Sequence, residues 1–332
     1  MSSLLSPVPY RLILVVPESC TALSSWVEHV VLPSLTHEAL ALPKVSCMGV
    51  GGGTNTPIAL CVEGVGLPQA PHDALRVCQE AWHVHQLPLD WALIEGDTSE
   101  LRKKLLVSDM DSTLLQGECI DELAEVVGLK PKVADITARA MRGELPFEPA
   151  LRERVALLKG IPVSVIESTL ARLPYMPGAK TLCATMKHHA QATLVLVSGG
   201  FTLFTGAVVN ALGMDAQYSN VLGVCPETHT LTGEVSGDPT LQEIVGQQTK
   251  LQVLKQYTQR LGLASSQTLA VGDGANDLAM ICHAGMGVAY HAKPLVAQQA
   301  QYGIHHTDLT TLLYFQGYTQ AEFVHSSPVR FP

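Results

Sequence analysis

Three short, almost wholly apolar runs constrain the fold of this chain more than any other feature. They occupy residues 105–108, 194–197 and 268–271, and sequence of helical pattern separates them. Strands that are buried on both faces have this composition, and parallel strands joined by crossover helices are buried in that way. The runs therefore predict an α/β domain built on a Rossmann-like parallel sheet. Each run ends in a polar cluster, and ligands of such sheets bind at the carboxyl ends of the strands.

The first hundred residues follow a different pattern, in which strands and helices alternate in the order βαββαβ. The predicted elements are strands at 10–16, 45–49, 57–62 and 90–94 and helices at 19–36 and 70–86. This order is that of the α+β ferredoxin-like fold. A polar stretch at 96–104 then predicts a boundary between two units, residues 1–98 and residues 99–332.

Two insertions are predicted within the second unit. Residues 120–190, between the first two apolar runs, have a mostly helical pattern and are too many for a simple crossover. We expect a helical cap that closes over a site and excludes water. Residues 218–237, in which Thr and Val alternate, predict a small β-hairpin flap.

Composition excludes several classes of partner. A formal net charge of −9, with no block rich in Lys or Arg, disfavours nucleic acid. No apolar stretch approaches the length of a membrane span, and the first ten residues lack the features of a secretory signal, so we expect a cytoplasmic protein and no membrane partner. The eight cysteines form no CxxC pair and are expected to be reduced, buried thiols. The sequence leaves the oligomeric state open, a homodimer included.

The cluster after the first run contains Asp109 and Asp111, followed by Ser112 and Thr113. Two carboxylates two positions apart face the same cavity if the backbone stays extended. One can attack phosphorus as a nucleophile, and the other can protonate the leaving oxygen and then take a proton from water. A solvated turn or a helix cap explains the pentapeptide equally well when it is taken alone.

The cluster after the third run, Gly272 to Asp277, adds further oxygen ligands. Together with Asp109 and the carbonyl of Asp111, Asp273 would form an all-oxygen site of the kind that Mg2+ prefers. We expect Asp277 to orient metal-bound waters or Lys250. The structural alternative is a capped turn that leads into a helix at 277–283.

The cluster after the second run, Ser198 with Gly199 and Gly200, can bind phosphoryl oxygens through a hydroxyl and backbone amides. Lys250 can supply a cation that stabilises both the nucleophile and the developing charge. Either feature alone is weak, because Ser-Gly-Gly turns and solvated lysines are common. They indicate a phosphate-binding site only because they occur together with the other motifs.

The four motifs, in this order and with a helical insertion after the first, resemble the haloacid dehalogenase (HAD) phosphohydrolase superfamily over about residues 104–310. The form of the first motif and of the cap is similar to the phosphoserine phosphatases of that superfamily, and the cap residues that carry this likeness are Glu118, Met141, Phe147 and Arg154. The first unit resembles a regulatory ACT module, although the loop at 17–20 lacks the glycine that amino-acid-binding ACT modules usually carry.

The resemblance implies roles for individual residues. Asp109 would be the phosphorylated nucleophile and Asp111 the acid and base, with Mg2+ held by Asp109, the Asp111 carbonyl and Asp273. The residues placed on the phosphate would be Ser198, Gly199, Gly200, Lys250 and Asn276.

The resemblance also implies O-phosphoserine as the small-molecule substrate, in serine biosynthesis. Glu118 can pair with its ammonium and Arg154 with its carboxylate, while Met141 and Phe147 form an apolar lid. Two alternatives stay open. One is hydrolysis or phosphotransfer on another small phosphomonoester, and the other is a catalytically silent sensor of an amino acid.

Overall fold

The computed structural model of the chain describes residues 8–17, 23–31, 44–50, 57–66, 88–95, 101–142 and 144–325. The strands are β1 Val8–Val16, β2 Lys44–Val50, β3 Ile58–Gly66, β4 Asp90–Glu95, β5 Leu105–Ser108, β6 Thr193–Phe201, β7 Ala216–Cys225, β8 Thr230–Ser236, β9 Thr268–Gly272, β10 Met286–Tyr290 and β11 Tyr302–Ile304. The helices are α1 Leu23–Trp26, α2 Cys119–Val126, α3 Lys130–Met141, α4 Phe147–Ala156, α5 Ser164–Leu170, α6 Ala179–Thr185, α7 Thr202–Leu212, α8 Gln247–Arg260, α9 Leu278–His283, α10 Pro294–Gln299 and α11 Thr311–Phe315.

The N-terminal unit is a four-stranded antiparallel sheet in the order β2-β3-β1-β4. This is the strand order of the ferredoxin-like fold, so the predicted arrangement of the strands is confirmed. Helix α1 continues as a π-helical turn, Val27–Val31, within the predicted first helix. The predicted helix at 70–86 and most of the loop at 17–20 lie outside the described residues.

Strand β1, at the centre of the N-terminal sheet, is apolar on both faces because both faces are buried. Leu12 and Leu14 face one side, where they pack with Trp26 of α1. Ile13 and Val15 face the other side and join the core of the second unit. Burial of one such aliphatic side chain contributes roughly 1.5–3 kcal/mol. The sheet is therefore covered by its own helix on one face and by the second unit on the other.

The second unit contains a seven-stranded sheet in the order β11-β10-β9-β5-β6-β7-β8. All neighbouring pairs are parallel except β7 and β8, which form an antiparallel hairpin. The three apolar runs of the sequence form β5, β6 and β9, the three adjacent strands at the centre. The predicted parallel sheet is confirmed, and its strands bring the three polar clusters to one edge.

Strand β5 is apolar along its length because both of its faces are buried. Leu106 packs into the core that extends beneath the helices following β5, whereas Leu105 and Val107 pack against α8 and α9 on the opposite face. All four residues of the strand are buried. Asp109 follows this strand directly, so its backbone is held by the most buried part of the sheet.

Helices α2 to α5 rise from the sheet through two connections that lie side by side. Leu115 pairs with Tyr175, the Gln116 amide donates to the Pro174 carbonyl at 2.9 Å, and the Met176 amide donates to the Leu114 carbonyl at 2.9 Å. We call residues 114–117 and 174–177 the cap hinge. Beyond it, α6 and a π-helical turn, Met186–Ala190, lead into β6.

The hairpin of β7 and β8 covers the flank of the cap. The Gly160 amide donates to the Leu231 carbonyl at 2.8 Å, and the Leu231 amide donates to the Ile161 carbonyl at 2.8 Å. The hairpin therefore extends the sheet sideways and contacts the helical segment at the same time.

Two residues of the N-terminal sheet anchor it to the second unit. Asp90 is fully buried, and its carboxylate accepts hydrogen bonds from the amides of His305, His306 and Thr307 and from the Thr307 hydroxyl. The Tyr314 hydroxyl donates to the Pro57 carbonyl at 3.2 Å. The two units are therefore joined by polar contacts as well as by an apolar interface.

The cysteines differ in part from the expectation. Cys61, Cys119 and Cys183 are buried, but the prediction is wrong for Cys47 and Cys282, which are exposed. Cys47 lies on an edge strand and Cys282 at the end of a short helix, where one face is open to solvent. Among the residues described above, no helix is both long and apolar enough to cross a bilayer.

Candidate active site

The site is centred on Asp109, the first residue after β5. Its amide donates to the Val271 carbonyl of β9 at 3.1 Å, so it is still held by the sheet. Its Oδ1 atom accepts a hydrogen bond from the Met110 amide at 2.8 Å. The backbone then turns at Ser112, which has a φ of 55° in the left-handed region. Asp109 as a whole is only 5% exposed, so little water can solvate its carboxylate.

A fully buried lysine joins Asp109 to the last motif. Lys250, in the first turn of α8, places its Nζ 2.7 Å from Asp109 Oδ1 and 2.7 Å from Asp277 Oδ1. Burial by itself would lower the pKa of Lys250, but the two carboxylates outweigh it and raise that pKa above its usual value. The lysine therefore stays charged and fixes the orientation of the Asp109 carboxylate.

Asp277 is held in place by close contact with glycine backbone. Its Oδ2 atom accepts a hydrogen bond from the Gly274 amide at 3.0 Å. A Cβ atom at Gly272 would lie 2.3 Å from Asp277 Cγ, so only glycine fits there. Both oxygens of Asp277 are thus engaged, one by Lys250 and one by backbone. The geometry agrees with a supporting role for this carboxylate.

Three buried carboxylates and one ammonium give the site an excess of negative charge. Within the described part of the chain, Asp109, Asp273 and Asp277 form a group whose carboxylate oxygens lie within 4.8 Å of one another. Burial and repulsion from Asp277 raise the pKa of Asp109, and the same two causes raise the pKa of Asp273 to about 6. A cation bound between Asp109 and Asp273 would relieve this repulsion. The donor set consists only of oxygen atoms, which fits a hard divalent cation.

Asp111 lies in a separate environment from Asp109. Burial, followed by repulsion from Glu118, raises the pKa of Asp111 to about 7. Hydrogen bonds from Cys119 oppose this shift, and the Cys119 amide donates to Asp111 Oδ1 at 3.1 Å. An acid with a pKa near neutrality can both give and take a proton at physiological pH.

The end of β6 approaches Asp111 from the other side. Gly200 donates its amide hydrogen to Ser198 Oγ at 2.9 Å, and a Cβ atom at Gly200 would lie 3.3 Å from Asp111 Oδ2. The two glycines let this end of the strand pass close to the acid. Ser198 is nearly inaccessible, so the strand end forms a wall beside the carboxylates.

The cap brings one predicted residue onto the sheet. A Cβ atom at Gly199 would lie 3.3 Å from Cζ of Phe147, and one at Gly246 would lie 3.9 Å from the same ring. Phe147 opens α4 and is 44% exposed. Its ring therefore lies between the cap and the residues at the ends of the strands.

Two other predicted cap residues, Glu118 and Arg154, lie near the entry to α2. The Glu118 carboxylate accepts a hydrogen bond from the Ser112 hydroxyl at 2.9 Å. Arg154 is half-buried, and burial lowers its pKa against the opposing charges of Asp121 and Glu118. Met141 is the last residue of α3, and its side chain lies outside the described part of the structure.

Asn276 lies in the 3-10 turn Ala275–Asp277 with its side chain half-buried. Its Oδ1 atom lies against Gly274, where a Cβ atom would be 2.4 Å away. The side-chain oxygen of Asn276 therefore lies against the glycine turn of its own motif.

Two residues that were not predicted take part in the same architecture. Asn220 on β7 is fully buried, donates to the Gly199 carbonyl at 2.9 Å and accepts from the Val245 amide at 2.9 Å. Lys293 places its Nζ 4.0 Å from Asp273 Oδ2. A buried asparagine within an alternating hairpin has no sequence signal of its own, whereas Lys293 follows a fourth strand end and could have been suspected from that position.

Comparisons with known proteins agree with this arrangement. A family model described as haloacid dehalogenase-like hydrolase matches residues 106–281. A protein of Schizosaccharomyces pombe described as a probable phosphoserine phosphatase is 44% identical over 229 residues, which are 69% of this chain and 75% of that protein.

Solved structures extend the likeness. The unliganded crystal structure of a probable phosphoserine phosphatase from Vibrio cholerae has a TM-score of 0.68 at 30% identity and covers 94% of this chain and 88% of that one. A structure described as a phospho-aspartyl intermediate analogue of phosphoserine phosphatase has a TM-score of 0.58 at 36% identity, covering 64% of this chain and 99% of that one.

The family match spans more than half of the chain and includes the three carboxylates that follow two of the central strands, Asp109, Asp111 and Asp273. The chain therefore belongs to the haloacid dehalogenase-like hydrolases, and over two thirds of its length it is similar to a protein described as a probable phosphoserine phosphatase.

Proposed function

We propose that this chain is a phosphoserine phosphatase, which hydrolyses O-phosphoserine to serine and inorganic phosphate and so serves serine biosynthesis. One observation carries the proposal. Lys250 holds Asp109 in a buried cluster of carboxylates, while a second acid with a pKa near 7, Asp111, lies two residues away. The relatives at 36–44% identity that are described as phosphoserine phosphatases support the substrate.

The first step forms a covalent intermediate on the chain. An oxygen of Asp109 attacks the phosphorus atom, the bond from phosphorus to the serine oxygen breaks, and Asp111 gives its proton to that oxygen. Serine leaves as a neutral alcohol, and the phosphoryl group remains on Asp109. The proton is needed because an alkoxide is a poor leaving group.

The second step restores the enzyme. Asp111, now ionised, takes a proton from water as the water oxygen attacks phosphorus, and the bond to Asp109 breaks. Inorganic phosphate leaves, and Asp109 and Asp111 return to their starting forms. One acid with a pKa of about 7 can perform both transfers, because both of its forms are populated near neutral pH.

Asp109, Asp273 and the Asp111 carbonyl would hold Mg2+. When bound there, the ion supplies positive charge that offsets the repulsion between an anionic nucleophile and an anionic phosphate. Lys250 contributes a further positive charge, 2.7 Å from Asp109 Oδ1. Asp277 would support Lys250, because its Oδ1 atom accepts a hydrogen bond from that ammonium while its Oδ2 atom accepts one from the Gly274 amide.

The remaining predicted residues have roles in binding. Ser198, Gly199, Gly200 and Asn276 would bind the phosphoryl oxygens together with Lys250, while Phe147 and Met141 close the site to water. Glu118 would receive the substrate ammonium and Arg154 its carboxylate. The proximity of Glu118 and Arg154 to Asp121 supports a charged subsite at this end of the cap.

A phosphate-release assay on a small panel tests the proposal. Phosphoserine, phosphothreonine and a sugar phosphate are compared with and without Mg2+, using the wild-type chain, Asp109→Asn and a control, Asp135→Asn, whose carboxylate is exposed on the cap. We expect Mg2+-dependent release from phosphoserine in the wild type and the control, and none in Asp109→Asn. A preference for the sugar phosphate would refute the substrate, and an absence of release from all three would favour a silent sensor.

A cytoplasmic location and a homodimer remain predictions from the sequence. The chain's net charge of −9 supports the prediction that it has no nucleic-acid partner.

A further inference from the structure

One fully buried side chain joins two segments that carry proposed phosphate-binding residues. Asn220 of β7 has no exposed surface. Its Nδ2 atom donates to the Gly199 carbonyl at 2.9 Å, and its Oδ1 atom accepts from the Val245 amide at 2.9 Å. A carbonyl only accepts and a backbone amide only donates, so one orientation of the side-chain amide satisfies both partners. Asn220 therefore joins the end of β6 to the segment that precedes α8.

The pairing of β6 with β7 shows why a side chain is needed at this place. The strands pair at Val197 with Tyr218 and again at Phe201 with Asn220, and the register shifts in between. Residues 198–200 of β6 therefore lie opposite a single residue of β7. The extra residues of such a bulge are left out of the regular ladder. The Asn220 side chain supplies a hydrogen-bond donor to this irregular stretch.

The contact with Gly199 acts on Ser198 through one planar peptide group. The Gly199 carbonyl and the Gly200 amide belong to the same peptide bond, and none of the described peptide bonds is cis. The two groups therefore point in opposite directions. With the carbonyl held toward Asn220, the Gly200 N–H points the other way and donates to Ser198 Oγ at 2.9 Å. The hydroxyl hydrogen of Ser198 then points away from Gly200 and can be donated to a phosphoryl oxygen.

The contact with Val245 acts on Lys250. Val245 directly precedes Gly246, the residue that caps the start of α8. The Gly246 carbonyl accepts the Lys250 amide at 3.0 Å, and the Lys250 Nζ atom lies 2.7 Å from Asp109 Oδ1. Asn220 therefore helps to fix the helix turn that carries the ammonium group.

The backbone beside Asn220 is itself held by buried polar groups. The Ser219 amide donates to Asp238 Oδ2 at 3.0 Å, and the Ser219 hydroxyl lies 2.8 Å from Thr205 Oγ1. Asp238 and Thr205 are both buried. The position of Asn220 is thus set by the fold before any substrate binds.

We propose that Asn220 is a positioning residue of the phosphoryl site, which sets the Ser198 hydroxyl and the Lys250 ammonium at the spacing that one phosphoryl group requires. Both polar atoms of its amide are engaged by backbone, so it acts through these two groups. The inference rests on the proposed function, which assigns phosphate to Ser198 and Lys250. Loss of the bridge should weaken binding of the phosphoryl group itself, whichever leaving group it carries.

Two variants of full-length chain compare this bridge with a purely structural one. Asn220→Leu removes both hydrogen bonds at nearly constant volume. Gln316→Met is the matched control, because Gln316 is also fully buried, accepts the Lys103 amide at 3.1 Å and donates to the Leu312 carbonyl at 2.9 Å. Lys103 lies before β5, at the end of that strand opposite to Asp109. Both variants should lower the urea midpoint, but only the first should alter the site.

The readouts are calorimetric binding of inorganic phosphate with Mg2+ and turnover of 4-nitrophenyl phosphate. Asn220→Leu should raise the Kd for phosphate and lower kcat/KM roughly 10- to 100-fold, since small misplacements at a reacting group have effects of this size. Gln316→Met should keep the wild-type Kd and KM. A purely structural role would reduce only the number of binding sites and kcat, through the folded fraction.

A double-mutant cycle with Ser198→Ala tests the route of the effect. Ser198→Ala should weaken phosphate binding clearly in the wild type and less than about threefold in Asn220→Leu, because the hydroxyl is already misplaced there. Strictly additive effects would contradict action through Ser198 and overturn the proposal.

A second variant and a wild-type structure keep the test decisive if Asn220→Leu does not fold. Asn220→Thr suits a strand, but its hydroxyl is too short to join both partners, so it should show the same change in Kd. In wild-type crystals with Mg2+ and beryllofluoride, Ser198 Oγ should contact a fluorine atom while both Asn220 hydrogen bonds persist.

The proposal is overturned if the wild type binds no phosphate, if a folded Asn220 variant keeps the wild-type Kd, if Gln316→Met loses as much affinity, or if the crystals lack the Ser198 contact. Failure of the proposed function gives a different result. A wild-type chain that hydrolyses 4-nitrophenyl phosphate but not phosphoserine would refute the substrate and leave every comparison between these variants valid.

Discussion

Replacement of Asp111 by Asn separates the two chemical roles assigned to the carboxylates. The substitution keeps the size of the side chain and an oxygen that can accept the Cys119 amide, but it removes the transferable proton. Asp109, Lys250 and the metal-binding oxygens are unchanged. Any loss of rate therefore reports on proton transfer to the leaving group in the first step and from water in the second.

The size of the effect follows from the environment of Asp111. With an ordinary pKa of 3.8, only about one molecule in a thousand would carry the acid form at pH 7. Burial and Glu118 raise the pKa to about 7, so about half of the molecules carry it. A positioned general acid contributes about 10²- to 10⁴-fold, or about 3–5 kcal/mol of activation free energy. We expect Asp111→Asn to slow serine release by this factor.

The assay is a first-turnover measurement with enzyme in excess. Serine release from phosphoserine is followed by rapid quench, and nitrophenolate release from 4-nitrophenyl phosphate by stopped-flow absorbance. Nitrophenolate leaves without protonation, so its first release should slow less than about tenfold. In a separate measurement with substrate in excess, later turnovers of both substrates should be slow, because the variant also lacks the base for the second step. A single burst of nitrophenolate per enzyme should therefore be seen.

The leaving-group comparison can refute the assignment. Equal slowing of the first release of serine and of nitrophenolate would mean that Asp111 does not act as the acid. The pH dependence offers a second check on the wild type. A folded-state pKa of about 7 keeps the acid form present below pH 7, so first-turnover serine release should fall about tenfold per pH unit above that value. Nitrophenolate release should not show this fall. Asp135→Asn serves as the matched control in both experiments.

Three further predictions address stability, specificity and closure. Lys250→Met leaves Asp109 and Asp277 as buried charges without a cation, and in EDTA it should lower the free energy of unfolding by about 3–5 kcal/mol in urea titrations; an unchanged unfolding midpoint would contradict the ion-pair argument. Arg154→Ala should reduce kcat/KM for phosphoserine far more than for phosphoethanolamine, which lacks the carboxylate. Arg152→Ala, at an exposed neighbouring position, should affect both substrates equally. An equal loss for both substrates in Arg154→Ala would show that this residue does not bind the carboxylate. Beryllofluoride with Mg2+ should protect the helical cap from limited proteolysis by mimicking the phosphorylated nucleophile, and unaltered cleavage would argue against closure.

The relation between sequence and structure is clearest in the sheet. Apolar runs bounded by polar clusters predicted β5, β6 and β9, because burial on both faces leaves a local composition that needs no tertiary information. The strand order of the N-terminal unit followed in the same way from alternating elements. The burial of β1 on both faces could not be predicted in this way, because its second face is covered by residues more than two hundred positions away.

The candidate site was likewise predicted only in part from the sequence. The motifs named Asp109, Asp111, Asp273 and Lys250 as a set, but Asn220 was missed, because a buried amide that joins three segments has no periodic signal. The exposed Cys47 was also predicted wrongly, since exposure on an edge strand depends on what covers that edge.

By itself, the sequence determined the element order of the N-terminal unit, the three apolar strands of a parallel sheet, the placement of reactive residues at their ends and the family to which these motifs point. Only the tertiary structure decided that Lys250 bridges two carboxylates, that Asp111 has a pKa near neutrality and that Asn220 joins the end of β6 to the segment before α8. The physical reason is that secondary structure follows from neighbours along the chain. Desolvation and charge interactions depend instead on distances between residues that the fold brings together.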